Sequence, residues 1–162
     1  MTIKAGDRMP EGRFAVMGAD GKPDAITTQE LFGGKKVILF AVPGAFTPTC
    51  SIKHLPGFVD QAAAITAKGV DIVACMAVND VFVMSAWGRS ASVGDSVLML
   101  SDGNGEYTRA LGLELDASGF GMGSRAKRFS MVIDDGVVTE LNIEPPGEFG
   151  VSSAETILGQ LG

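Results

Sequence analysis

The sequence predicts an α/β protein with a mixed β-sheet flanked by helices. Apolar, β-branched segments alternate with segments of helical periodicity along most of the chain, which is typical of parallel strands joined by helices. Near the C-terminus, Asp135-Gly136 separates two further apolar segments, and this dipeptide is a strong signal of an antiparallel hairpin. The order of these signals predicts parallel central strands and an antiparallel edge.

The predicted strands are apolar segments bounded by turn residues. They are KVILFAV at 36–42, VDIVACMAV at 70–78, SVLML at 96–100, FSMVID at 129–134 and VVTELNI at 137–143. The segment RFAVM at 13–17, followed by Asp20-Gly21, predicts a smaller N-terminal hairpin.

The predicted helices lie between these strands, at about 48–68, 80–91 and 105–112, with a last helix after Ser152-Ser153. Gly69 is expected to end the first helix, and Asn79 or Asp80 to cap the second. Ser152 and Glu155 have the spacing of a capping box for the last one. This order of elements fits a thioredoxin-like fold, and a length of 162 residues predicts one domain over 1–162.

Charge and hydropathy exclude several classes of partner. Thirteen basic and nineteen acidic residues give a net charge of −6, and no run of Lys or Arg exceeds two residues, which argues against nucleic-acid binding. The acidic balance argues against binding to anionic membranes. The N-terminal residues are polar, unlike a signal peptide, and the apolar segment near 37–42 is too short to span a bilayer. A cytoplasmic location is therefore expected.

The chain contains two cysteines, Cys50 and Cys75, and one histidine, His54. Two thiols 25 positions apart form neither a CxxC redox pair nor the framework of a disulfide-rich domain. A zinc site needs four ligands, and the Cys and His residues number three. We therefore expect no metal and no bound cofactor.

The most informative segment is PGAFTPTC at 43–50. Pro48 is favoured at the first helical position, so Thr47 falls at the N-cap and Cys50 in the first turn. Unpaired first-turn amides and the helix dipole favour a thiolate there, which makes the sulfur nucleophilic. Pro43 can wall the pocket, and the Thr47 hydroxyl is near enough in sequence to bind the sulfur or an incoming oxygen. The alternative is a buried structural cysteine, which the PxxxTxxC spacing disfavours.

PGAFTPTC resembles the active-site motif of the peroxiredoxins, specifically of the atypical subfamily that includes the plant type II enzymes. The resemblance extends over nearly the whole chain, through HLPGF (54–58), KGVDIVACMAVND (68–80), FVMSAWGR (82–89) and KRFSMVIDDG (127–136). It implies a thiol peroxidase that reduces hydrogen peroxide and alkyl hydroperoxides, in which Cys50 attacks the O–O bond and becomes a sulfenic acid.

The resemblance also implies the residues around the sulfur. Pro43 and Thr47 match the motif, Gly44 belongs to the same substrate-binding loop, and the family's arginine corresponds to Arg128. A permanently charged guanidinium stabilises both a thiolate and the leaving oxygen, which independently supports an arginine. The alternative for Arg128 is a solvated basic residue, because Arg125 and Lys127 lie beside it.

His54 and Phe46 are further candidates for the pocket. His54 lies four residues after Cys50, on the same helical face, so a Cys–His dyad is one reading. Pro56 must disturb the helix there, and the family requires no histidine base. A role in shaping the pocket or hydrogen-bonding the chain is therefore the favoured interpretation.

Cys75 lies within a fully apolar strand and is expected to be a small buried hydrophobe. Some relatives in the subfamily carry a resolving cysteine before the last helix, but GEFGVSSAE at 147–155 has none. This departure implies a one-cysteine enzyme that an external thiol must reduce. The resemblance favours glutathione, with or without glutaredoxin, over thioredoxin. The alternatives are a thioredoxin-recycled peroxidase with Cys75 as resolving thiol, or a thiol–disulfide oxidoreductase.

The oligomeric state depends on two aromatic residues, Phe82 and Trp87, that are expected beside the active-site loops. If they are exposed, they form a dimer interface, and relatives in the subfamily are commonly dimers. If they are buried, both belong to the core. A homodimer is the favoured prediction.

Overall fold

Residues 2–162, which the computed structural model describes, form nine strands and five α-helices. The strands are β1 (Arg13–Met17), β2 (Pro23–Thr27), β3 (Lys36–Ala41), β4 (Ile72–Ala77), β5 (Leu98–Ser101), β6 (Glu114–Asp116), β7 (Ser124–Ala126), β8 (Phe129–Asp134) and β9 (Val137–Ile143). The helices are α1 (Thr28–Phe32), α2 (Leu55–Ala67), α3 (Val81–Ser90), α4 (Glu106–Leu111) and α5 (Ala154–Leu161). A π-helical turn, Cys50–His54, directly precedes α2.

Seven strands form one sheet in the order β2-β1-β5-β4-β3-β8-β9, and β6 pairs with β7 separately. Strands β3, β4 and β5 are parallel, whereas β8 is antiparallel to β3 and β9 is antiparallel to β8. The predicted thioredoxin-like mixed sheet with flanking helices is therefore confirmed.

The central strands are apolar throughout because both faces of the sheet are covered. Val37 and Leu39 pack into the layer that includes α1 and α4, while Ile38 and Phe40 face the layer of α2, α3 and α5. The Phe40 ring stacks on Phe58 of α2 with centroids 4.1 Å apart. Full burial of such a side chain contributes about 1.5–3 kcal/mol, so this contact helps to hold α2 against the sheet.

Each predicted strand is present, with ends within two residues of the prediction for all segments. In the β8–β9 hairpin, Asp135 and Gly136 both have positive φ angles, 47° and 80°, as a type I′ turn requires. The small N-terminal hairpin is formed by β1 and β2. Asp80 caps α3, because its side chain accepts a hydrogen bond from Val83 N–H at 2.8 Å.

Three elements were not predicted, and one capping prediction was wrong. Helix α1 and strands β6 and β7 have five, three and three residues, too few for a visible period. The cap of α5 is Ser153, whose hydroxyl accepts from Thr156 N–H, and not Ser152. Ser152 is buried and bonds instead to a carboxylate of the preceding loop.

Within residues 2–162, no helix is long and apolar enough to cross a lipid bilayer.

Candidate active site

Cys50 lies in the first turn of the helical segment that follows β3, as predicted. The strand ends at Ala41, and Pro48 takes the first helical position after a six-residue loop. The Thr47 carbonyl accepts a hydrogen bond from Ser51 N–H at 2.9 Å, which places Thr47 at the helix start. Cys50 therefore lies where the β3 chain leaves the sheet, beside the unpaired amides of a helix N-terminus.

The predicted single helix from 48 to 68 is interrupted by the π-helical turn. Leu55 N–H donates to the Cys50 carbonyl, five residues back, instead of four. Pro56 has no N–H, and its ring crowds the carbonyl four residues before it, so a regular α-helix is disfavoured at this point. The wider turn accommodates the proline, and both Cys50 and His54 are buried within it.

Arg128 binds the sulfur directly. Its Nη2 donates to Cys50 Sγ at 3.0 Å, and its Nη1 lies 2.9 Å from His54 Nδ1. Because a guanidinium nitrogen is always a donor, His54 Nδ1 must be the acceptor. The arginine is therefore held between two partners and delivers its charge to the sulfur.

His54 is fully buried, and both ring nitrogens are occupied by partners other than Cys50. With Nδ1 accepting from Arg128, the proton is on Nε2, which donates to the Ser152 carbonyl at 3.0 Å. Burial, followed by the charge of Arg128, lowers the pKa of His54 to about 3, although Ser152 and the Glu144 charge act in the opposite sense. The imidazole is neutral near pH 7 and accepts a hydrogen bond from Arg128. This fits a role in shaping the pocket better than a Cys50–His54 catalytic dyad.

Of the clustered basic residues, only Arg128 contacts the sulfur among residues 2–162. Arg125 donates from Nε to the Met122 carbonyl at 2.8 Å and from Nη1 to the Val78 carbonyl at 3.1 Å. Those bonds tie the segment before β8 to the end of β4. The structure thus places the predicted arginine at the thiol and gives Arg125 a different set of partners.

The other predicted pocket residues belong to the loop before Cys50. The Thr47 hydroxyl donates to the Gly44 carbonyl at 2.7 Å, and not to the sulfur, so its lone pairs can still accept a hydrogen bond. Gly44 is tightly packed, because a Cβ there would lie 3.0 Å from Met122 and 3.2 Å from Thr47. Pro43 and Arg128 both line a cavity of about 130 Å³ beside this loop.

Phe46 is the strained member of the loop. It has a positive φ of 64°, which is unfavourable for an aromatic residue, and its side chain is 52% exposed. Its ring centroid lies 6.5 Å from that of Trp87. The ring thus projects from the loop and is half exposed to solvent.

Cys75 is completely buried in the middle of β4, as predicted, and is paired with Phe40 of β3 and Met99 of β5. Burial, with a smaller contribution from Cys50, raises the pKa of the Cys75 thiol well above its ordinary value. Both cysteines are free thiols. The environment of Cys75 is therefore that of an inert core side chain.

The two aromatic residues of α3 have different environments. Trp87 is 1% exposed and donates from Nε1 to the Ser51 hydroxyl at 3.0 Å, so it belongs to the core. Phe82 is 61% exposed. The core reading thus holds for Trp87, whereas the dimer interface at the exposed Phe82 stays a prediction.

Sequence reasoning missed Glu144 and the part that Ser152 plays at the site; both residues lie between β9 and α5. Ser152 accepts from His54 through its carbonyl, and Glu144 binds Ser152. The histidine and this carbonyl are 98 positions apart in the chain. No local pattern could have paired them, although the sequence does show an acidic residue directly before two prolines at the end of a strand.

No group of three or more His, Cys, Asp or Glu side chains within residues 2–162 could hold a metal ion.

A buried thiol bound by a guanidinium, at the start of a helix on a thioredoxin-like sheet, defines a redox protein that acts through a cysteine. The redoxin family model matches residues 4–158. The chain is 53% identical to the rice protein peroxiredoxin-2E-2, chloroplastic, over 99% of its own length and 73% of that protein. It is 48% identical to Arabidopsis peroxiredoxin-2B over 98% of both chains.

Solved structures agree with these relatives. Reduced Prx3 of Vibrio vulnificus in complex with hydrogen peroxide superposes with a TM-score of 0.95 and 50% identity, covering 99% of this chain and 100% of that one. The chain therefore belongs to the peroxiredoxin family, in its type II group, and is a thiol peroxidase.

Proposed function

We propose that Cys50 is the peroxidatic thiol and that it reduces hydrogen peroxide and alkyl hydroperoxides. The observation that carries this proposal is the 3.0 Å contact between Arg128 Nη2 and Cys50 Sγ. A guanidinium at the sulfur favours the thiolate, and a thiolate is the nucleophilic form of cysteine.

The proposed reaction begins with attack of the Cys50 thiolate on one peroxide oxygen. The S–O bond forms as the O–O bond breaks, Cys50 becomes a sulfenic acid, and the leaving oxygen takes a proton to give water or an alcohol. Negative charge develops on that oxygen, and Arg128 stabilises it by charge-assisted hydrogen bonding. The Thr47 hydroxyl donates its hydrogen bond to the Gly44 carbonyl, so its oxygen can accept a hydrogen bond from the hydroperoxide O–H.

Pro43 and Gly44 have supporting roles in this proposal. Pro43 lines the small cavity beside Arg128, and its proposed role is to keep water from the sulfur. A side chain at Gly44 would press on Thr47, so the glycine sets the position of the hydroxyl. His54 holds Arg128, and Phe46 forms the outer rim of the pocket.

We further propose that an external thiol, glutathione alone or with glutaredoxin, recycles the enzyme. A first thiolate attacks the sulfenic sulfur and displaces hydroxide, which takes a proton to become water, leaving a mixed disulfide on Cys50. A second thiolate attacks the outer sulfur of that disulfide and releases the Cys50 thiolate and the oxidised, disulfide form of the reductant. This one-cysteine mechanism is supported by the burial of Cys75 within β4, where disulfide formation with Cys50 would require the strand to move. Thioredoxin with Cys75 as resolving thiol is the alternative.

The test compares peroxide consumption by wild type, Cys50→Ser and the matched variant Cys75→Ser. Each is assayed with glutathione, with glutathione plus glutaredoxin, and with thioredoxin. We expect Cys50→Ser to lose turnover with every reductant, and Cys75→Ser to retain most of it with glutathione. Turnover by Cys50→Ser above about a tenth of the wild-type rate would contradict the assignment, since a serine hydroxyl is a poor nucleophile without an activating base. Turnover that needs thioredoxin and Cys75 would support the alternative.

A homodimer is also proposed, with the second copy covering exposed apolar side chains near the active site. Phe46 projects toward α3, where Phe82 is exposed, and Ile52 lies on the π-helical turn and is 71% exposed. Exposed apolar patches of this kind mark protein contacts. Phe82→Asp should convert the dimer to a monomer in light scattering, whereas a monomeric wild type would contradict the proposal.

No bound cofactor or metal is proposed, and the location is proposed to be the cytoplasm. Peroxidase activity should survive dialysis against a chelator, because sulfur supplies the redox chemistry. Location can be tested by cell fractionation, with an organellar pool as the contradicting outcome.

A further inference from the structure

The loop between β9 and α5 contains a buried carboxylate that no part of the proposed reaction uses. Glu144 is only 5% exposed, and its Oε2 accepts three hydrogen bonds from the same loop. The donors are Gly150 N–H at 2.7 Å, Ser152 N–H at 2.8 Å and the Ser152 hydroxyl at 2.7 Å. Burial alone raises the pKa of Glu144, but these hydrogen bonds outweigh it and leave the pKa below its ordinary value.

Glu144 binds Ser152, and Ser152 is the residue that orients His54. Ser152 is completely buried, and its carbonyl accepts the His54 Nε2–H at 3.0 Å. That bond leaves Nδ1 as the acceptor for Arg128 Nη1. A shift of the Ser152 backbone would therefore move the acceptor that fixes both the ring and its tautomer.

The loop is also anchored at the backbone of Arg128. Glu144 N–H donates to the Arg128 carbonyl at 3.0 Å, which extends the β8–β9 ladder beyond the pair of Phe129 and Ile143. The side chain and the main chain of Glu144 thus contact both ends of the hydrogen-bonded chain that runs from Ser152 through His54 to Arg128. One holds the loop that supports His54, and the other holds the strand end that carries the guanidinium.

We infer that Glu144 is a positioning residue for the peroxidase. Its carboxylate fixes the Ser152 carbonyl, which fixes His54, which holds Arg128 against Cys50. Glu144 has no direct contact with the sulfur and acts through the other three. The inference rests on the proposed role of Arg128.

Positioning and simple electrostatics predict opposite results when the charge is removed. A carboxylate near a thiolate disfavours the thiolate, so loss of the charge alone would move the pH profile of Cys50 alkylation to lower pH. Loss of the Ser152 support would instead release Arg128 from the sulfur and move the profile to higher pH. The direction of the shift therefore distinguishes the two effects.

The test uses Glu144→Gln with Glu155→Gln as the matched control. Glu155 is exposed and lies three residues after Ser152, outside the cavity that Pro43 and Arg128 line, so its substitution removes one negative charge without changing the proposed site. Alkylation by iodoacetamide is measured against pH, and reaction with hydrogen peroxide is followed by stopped flow. Urea denaturation and circular dichroism report the fold of each variant.

For Glu144→Gln we expect alkylation to shift to higher pH and peroxide reaction to slow by about ten- to a hundredfold, since small displacements of catalytic groups have effects of that size. Glu155→Gln should react within about twofold of wild type, because an exposed charge is screened by solvent. A shift to lower pH, or a wild-type peroxide rate in folded Glu144→Gln, would overturn the inference.

Ser152→Ala provides the second variant if Glu144→Gln does not fold. It keeps the N–H and carbonyl and removes one of the three hydrogen bonds, so a smaller shift in the same direction is expected. Arg128→Met in the same assays separates failure of the positioning inference from failure of the proposed function. If Arg128→Met is slow and Glu144→Gln is not, the positioning inference fails; if Arg128→Met is itself unimpaired, the proposed function fails.

Discussion

Acidification should destabilise this protein in part through the imidazole of His54. His54 is the only histidine in the chain, so no other imidazole contributes to the measurement. In the folded state, burial and the Arg128 charge lower its pKa to about 3. In the unfolded chain the same ring should have a pKa of about 6.5.

The sign follows from the number of bound protons. Between about pH 6.5 and pH 3 the unfolded chain carries a proton on His54 that the folded chain does not. Stability from this group is therefore complete above about pH 6.5 and is lost progressively as the pH falls toward 3. At pH 5 the loss is about 2 kcal/mol, which is a substantial part of the stability of an ordinary domain.

The assay is urea denaturation at pH 7.5 and pH 5.0, under reducing conditions, for wild type and His54→Gln. Glutamine keeps one acceptor and one donor but does not titrate. Wild type should lose about 2 kcal/mol more than the variant between the two pH values, because the carboxylates titrate alike in both proteins.

Nuclear magnetic resonance of the single imidazole gives an independent result. Its ring signals in the folded protein should show no titration between pH 8 and pH 5. Equal losses of stability in the two proteins, or a ring that titrates near its ordinary pKa, would refute the reasoning. Either result would mean that Nδ1 is free to take a proton, and that Arg128 does not donate to it.

Three further predictions test the site. Arg128→Met should move the alkylation profile of Cys50 to higher pH and slow peroxide reduction, while Arg125→Met should do little; a larger effect of Arg125 would mean that the wrong arginine is assigned. Thr47→Val should lower the peroxide rate on the order of a hundredfold, as for loss of one transition-state hydrogen bond, and a wild-type rate would leave the hydroxyl only its bond to the loop. With excess peroxide and no thiol, mass spectrometry of wild type and Cys75→Ala should show two or three added oxygens on Cys50, and a Cys50–Cys75 cross-linked peptide in wild type would exclude the one-cysteine mechanism.

The fold and the nucleophile were predicted from short segments of consecutive residues. The apolar segments, the turn at Asp135-Gly136 and the Pro48 helix start are written in consecutive residues, so their structures follow from short-range sterics and burial. The position of Cys50 at a helix N-terminus follows from the same information. The spacing of Pro43, Thr47 and Cys50 was therefore interpretable without coordinates.

Short or ambiguous local signals were less decisive. The stretch Ser152-Ser153 contains two residues able to cap a helix, and the sequence cannot show which hydroxyl faces the helix and which faces Glu144. Phe82 and Trp87 lie on one short helix and look alike in composition. Their exposures differ because only one of them faces the layer that contains α2 and the sheet.

By itself, the sequence determined the class of fold, and it predicted Cys50 as the reactive thiol and, through the peroxiredoxin resemblance, Arg128 as its arginine. Only the tertiary structure showed that His54 accepts a hydrogen bond from that arginine and that the Ser152 carbonyl accepts one from His54. These partners come from separate elements, since the π-helical turn, the β8 strand end and the loop before α5 meet only when β8 pairs with both β3 and β9. Hydrogen bonds between residues 74 and 98 positions apart depend on strand order and register, which no local period specifies.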